Sequence, residues 1–135
     1  MDAARRGFAL VEAAVRAVDS GQVEGEALEV WVGLAKRLRD AGGVGKASQD
    51  MTLARQAFYD LSTSALDLVR RLGHAEGTLH EAFCPMARND QGASWLQEGE
   101  VINNPYFGSQ MLRCGEVREA FRGLSQPGGG EKEGR

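Results

Sequence analysis

"FCPMARNDQGASWLQEGEVINNPYFGSQMLRCG", running from Phe83 to Gly115, is the stretch on which the fold turns. It holds both cysteines, two of the four methionines, one of the two tryptophans and two of the three prolines. The sequence on either side reads as helix, so the stretch itself reads as a long irregular connection. Connections of that length are usually functional or disordered. This one is too rich in aromatic and sulfur side chains to be disordered.

Working outward, residues 3 to 19 place Phe8, Val11, Val15 and Val18 at helical spacing, with Leu10 and Ala14 beside them. Asp2 is a plausible cap and Ser20-Gly21 a plausible stop. Residues 25 to 40 repeat the pattern with Ala27, Trp31, Leu34 and Leu38, and "AGGVG" is expected to close that helix. A third helix is expected from about Ser48 to Leu72. Its residues Ala54, Phe58, Leu61, Ala65, Leu68 and Leu72 form a bundle-type seam, and Gly73 ends it. At the end of the unusual stretch and beyond it, Phe107, Met111, Cys114, Val117, Phe121 and Leu124 step by three or four, which predicts a fourth helix from about Ser109 to Gly123. The expected fold is therefore all-α: an antiparallel four-helix bundle over residues 1–124, with a motif-bearing segment (80–117) between helices three and four. The residues from 125 to 135, ending in "QPGGGEKEGR", have nothing to bury and are expected to be a disordered tail.

Composition narrows the function. The net charge is −3 and Lys and Arg are scattered among acids, which argues against a nucleic-acid surface, where a basic stripe would be needed. No apolar run approaches the roughly 18 residues of a membrane span, so direct membrane insertion is not expected. At the amino terminus, Glu12 and Arg16 interrupt the apolar run that would make an export signal. The chain is then either cytoplasmic or a piece of a longer exported one.

Pro85 disfavours a helical conformation for Cys84. In extended backbone, residues two apart point the same way, which would align the Cys84 thiol with the Met86 thioether. Met111 and Cys114 are three apart on the expected fourth helix and share a face there. Folded together, the two pairs would make an all-sulfur pocket, and thiolate with thioether selects monovalent copper or silver. Zinc, held by the cysteines with His80, is the weaker version, because zinc gains little from methionine.

Plainer readings stand beside these. Met111 and Cys114 fit an apolar stripe as ordinary core residues. Cys84 and Cys114 could close a disulfide worth about 3–4 kcal/mol in chain entropy. Thr78-Leu79-His80-Glu81 has the order of a capping box, which would put His80 on a short helical turn, and His74 after Gly73 reads as exposed. Trp95-Leu96, Pro105 and Tyr106-Phe107 read as a hydrophobic lid folded onto the bundle, and "RNDQG" as turn chemistry. "GGVGKAS" fails as a phosphate loop, because the first glycine would fall on Asp40 and Ala47 replaces the hydroxyl residue. A catalytic thiol would want a histidine or a helix amino terminus beside it, and only His80 with Cys84 comes close. No enzymatic activity is expected.

The ordered strings "FCPMA", "GASWLQ" and "INNPYFGSQMLRCGEV" resemble a domain at the carboxyl end of periplasmic adaptor (membrane-fusion) subunits of RND-type heavy-metal efflux pumps, also found in small envelope proteins. The resemblance implies copper- or silver-type metal handling in the periplasm, with pump adaptor or transporter subunits as partners. It marks Cys84, Met86, Met111 and Cys114 as metal-binding positions, and Trp95, Asn104, Pro105, Tyr106, Phe107 and Gly108 as structural. Some relatives place a histidine where this chain has Phe83, leaving His80 as the substitute. The alternative is a structural or interaction module that docks to a pump subunit, with Cys84 and Cys114 as its clasp.

Overall fold

The computed structural model describes residues 1–125. The chain divides into two units, residues 1–68 and the residues from Val69 on.

The first unit is helical. It comprises α1 (Asp2–Ala17), α2 (Gly25–Lys46) and most of α3 (Met51–Leu72). Asp19 accepts the Gly21 N–H at 3.0 Å and shapes the turn between α1 and α2. Asp50 accepts the Leu53 N–H at 2.9 Å and so satisfies an orphan donor at the start of α3. The apolar stripes meet as the spacing predicts. Phe8 packs with Ala54, Ala57, Phe58 and Leu61, and Val15 with Ala35, Leu38, Trp31, Ala65 and Leu68. The "AGGVG" stretch does not close α2, which continues to Lys46. Its glycines serve close approach instead. A Cβ at Gly45 would overlap the Phe8 ring, and one at Gly42 would lie 3.2 Å from the Phe8 carbonyl oxygen.

The second unit overturns the all-α expectation. After the last turn of α3 come β1 (Thr78–Cys84), a left-handed turn over Ala87–Asp90 with φ of 58°, 57° and 66° at Arg88, Asn89 and Asp90, β2 (Ala93–Gln97), a 3-10 turn (Ser109–Met111) and β3 (Glu116–Arg122). The strands form an antiparallel sheet in the order β2-β1-β3. The protein is thus mixed α/β, and its helices are not a four-helix bundle. The expected fourth helix fails for a local reason. Gly115 has φ +135°, a conformation no helix contains, and the chain leaves it as strand. His80 likewise lies in β1, not on a helical turn.

Alternation along β1 sorts the residues of the sheet. His80, Ala82 and Cys84 stand opposite Gln97, Trp95 and Ala93 of β2 and share one face. On the other face Glu81 pairs with Arg70 of α3, whose guanidinium also lies 5.7 Å from the centre of the Phe121 ring. The ladder to β3 shifts at Glu81/Ala82, where Glu119 and Val117 are the partners and Arg118 is extra. Arg118 stacks 3.6 Å above the Phe83 ring.

Residues 73–77 accept the chain beyond β3. Gly123 N–H donates to Gly77 O, Leu124 N–H to His74 O, and Ser125 N–H to Ala75 O. His74, expected at the surface, is half-buried with Nε2 3.1 Å from Gly77 O. Apart from Ser125, the residues expected to form a disordered tail lie outside the described ones. Among the described residues no helix is long and apolar enough to cross a membrane.

Candidate dithiol site

Cys84 ends β1 at 0% exposure. Ala93 stands opposite it on β2 and Ala82 lies two residues before it on the same face, and both are buried. Pro85 follows and lacks the N–H that a further rung of the ladder would need, so the strand stops there.

Cys114 comes from the other end of the stretch. Its N–H donates to Met111 O at 3.1 Å, closing one tight turn after the 3-10 segment. Gly115 then passes so close to β1 that a Cβ there would sit 2.9 Å from Phe83 O.

What holds Cys114 in place is a polar lacing of residues 102–106 to residues 112–114. Asn104, only 1% exposed, is its centre. Its backbone N–H donates to Leu112 O and its side-chain amide to Cys114 O, each at 2.8 Å. Its side-chain carbonyl accepts the Tyr106 N–H, also at 2.8 Å. Arg113 adds bonds to Ile102 O at 3.1 Å and Asn103 Oδ1 at 2.7 Å. Gln97 organises the adjoining loop. Its Oε1 accepts the Trp95 indole N–H at 3.0 Å, while its Nε2 donates to Gly99 O and Val101 O.

The result is a pair of free thiols with Cys84 Sγ 3.2 Å from Cys114 Sγ. A disulfide would need the sulfurs about 2.05 Å apart. A bridging ion with metal–sulfur bonds of about 2.3 Å would hold them about 3.8 Å apart at a tetrahedral angle, and wider as the angle opens. The observed separation lies between these two demands, so small movements reach either. The Cys114 thiol is held above its ordinary pKa by its hydrogen bond with Cys84, by burial, and by the neighbouring sulfur's charge. Binding a metal would therefore displace protons from the pair.

The other expected site residues are placed differently. Met86 sits in the turn after Pro85 with φ −89° and ψ −8°, not in extended backbone. Strand alternation therefore does not align it with Cys84, and its side chain is 47% exposed. Met111 is half-buried and keeps its three-residue spacing to Cys114 through the tight turn, although no helix continues past it. His80 shares the face of Cys84 but lies four residues up the strand, about 13 Å at the usual rise. Its Nδ1 is 3.0 Å from Glu98 O and its Nε2 3.8 Å from Glu100. Trp95 and Tyr106 are buried and meet with ring centres 6.0 Å apart at 58°. Trp95 belongs to β2 and Tyr106 to the loop after it; Pro105 and Phe107 are half-buried beside Tyr106 in sequence. Among the described residues no group of three or more His, Cys, Asp or Glu is arranged to hold a metal ion.

Sequence reasoning passed over Gln97, Arg113 and Gly115. Gln97 stands two residues from Trp95 on the same strand face, a spacing that could have flagged the indole's acceptor. Arg113 left no comparable signal, because its partners are backbone and side-chain oxygens ten or more residues away. In comparison with known proteins, the chain matches no family model, no curated protein and no solved structure.

Proposed function

We propose that the second unit is a noncatalytic site for a soft monovalent metal ion, Cu(I) or Ag(I), held by the Cys84 and Cys114 thiolates with Met111, three residues before Cys114, as the thioether. The observation that carries this reading is the pair of unoxidised thiols 3.2 Å apart, delivered by two separate elements. Paired thiolates are soft ligands and prefer such ions to calcium or magnesium. The motif strings extend the reading to metal efflux in the bacterial envelope, with pump adaptor or transporter subunits as partners. Within it, Trp95 and Tyr106 are the lid that shields the buried Cys84 sulfur.

The test is an anaerobic titration of the reduced chain with Cu(I) against a chromogenic chelator. One tight equivalent is expected, abolished by Cys84→Ser or Cys114→Ser and weakened about tenfold by Met111→Leu, since the thioether is the secondary ligand. If the chain fails to compete with the chelator, the metal reading is wrong and the pair is a structural clasp.

A further inference from the structure

The two sulfurs are close but not equivalent. Cys84 is fixed in a strand that is hydrogen-bonded on both sides, and its side chain is sealed from solvent. Cys114 is only partly covered, lies between two exposed residues, Arg113 and Gly115, and precedes the start of β3. One cysteine is thus partly open to solvent and the other is not. The backbone that would have to yield for them to bond is the tight turn at Cys114, not the strand at Cys84.

From this asymmetry we infer that Cys84 and Cys114 form a reversible dithiol/disulfide couple, with Cys114 as the entry sulfur and Cys84 as the closing one, and that the closed form rejects metal. The exchange partner is a small-molecule or protein disulfide. Cys114, as thiolate, attacks one sulfur of that disulfide. A bond forms to Cys114 Sγ, the partner's own S–S bond breaks, and the first partner thiolate leaves and takes up a proton. Cys84 then gives up its proton, attacks Cys114 Sγ, and expels the second partner thiolate. Two protein thiols are oxidised, one disulfide is reduced to two thiols, and two electrons and two protons have passed. Metal coordination needs thiolates, so a chain with the bond closed has lost both primary ligands. The metal half of the inference rests on the proposed function; the thiol half does not.

The experiment treats the reduced full-length chain with an aromatic disulfide, 5,5′-dithiobis(2-nitrobenzoate), and follows released thiol and intact mass. The wild-type chain should release two equivalents and end two hydrogens lighter, with no adduct. Cys84→Ser should release one equivalent and keep a stable mixed disulfide on Cys114. Cys114→Ser should react at least about tenfold more slowly than Cys84→Ser, because the remaining sulfur is buried. A wild-type chain carrying two stable adducts overturns the couple, and equal rates for the two variants overturn the order of attack. The wild-type mass needs no variant to fold. The oxidised chain is then titrated with Ag(I), which should bind about a hundredfold more weakly than to the reduced chain and recover on reduction. Undiminished binding after oxidation overturns the gating. A reduced chain that binds no silver overturns both the gating and the metal reading, and leaves the couple to be judged on mass alone.

Discussion

Asn104 offers the sharpest test of how the site is built. Replacing it by alanine removes the donor to Cys114 O and the acceptor for the Tyr106 N–H, two 2.8 Å bonds in a place that is 1% exposed. Each buried group that loses its partner costs about 1–3 kcal/mol. The expected loss is therefore about 2–6 kcal/mol, with the lower end applying if water enters the space left by the amide. Urea denaturation followed by Trp95 fluorescence measures it, in a Trp31→Phe background so that the first unit is silent. Asn104→Asp separates hydrogen bonding from packing. Its carboxylate has nearly the same shape and still accepts from Tyr106, but its second oxygen faces the Cys114 carbonyl without a proton. The neutral form is then favoured in the folded chain, which raises the folded pKa. The penalty should be absent below the unfolded value of about 3.9 and complete once pH exceeds the raised folded value. A loss under about 0.5 kcal/mol for Asn104→Ala, or a pH-independent loss for Asn104→Asp, would refute the lacing argument.

Two further outcomes follow from the same geometry. Gly115→Ala should destabilise the second unit by about 2–3 kcal/mol, through φ +135° and a Cβ 2.9 Å from Phe83 O, while Gly108→Ala, at φ −81° with nothing within 4 Å, should be nearly neutral. Thermal denaturation of the two variants decides, and equal shifts would contradict the account. In the first unit the buried Glu12 is held below the usual carboxylate range by its hydrogen bond from Lys46, against the opposing effect of burial, with Arg16 3.4 Å away assisting. Its contribution is fully present above the unfolded value of about 4.3 and is lost as pH falls through the depressed folded value. The stability gap between wild type and Glu12→Gln, read by circular dichroism, should therefore close on acidification, and a constant gap would rule the ion pair out as its source.

The helices were legible because their signal is local. Phe8, Val11 and Val15, or Leu61, Ala65 and Leu68, repeat with the helix's own period, and the residues that bury them lie on neighbouring helices with the same pattern. The sheet was not, because its pairing is made across the chain. Thr78–Cys84 is covered on both faces, with His80 and Cys84 buried on one and Glu81 tied to Arg70 on the other. Polarity therefore does not alternate along it as in a half-buried strand. Phe107 to Leu124 imitates a helical stripe, yet Val117 faces with Ala82 and Phe121 with Leu79, because the extra residue Arg118 reverses the alternation between them.

The sequence by itself determined the three helical periods, the stop at Gly73, and that the sulfur chemistry lies between Phe83 and Gly115. Residue type and spacing are enough for each of these. Only the tertiary structure decided which sulfurs meet. Cys84 and Cys114 are brought to 3.2 Å by a strand register and by Asn104, whereas Met86 turns away after Pro85 and His80 remains two pleats distant. The meeting of the two sulfurs depends on pairing and hydrogen bonds between residues eight or more apart, and no local pattern encodes it.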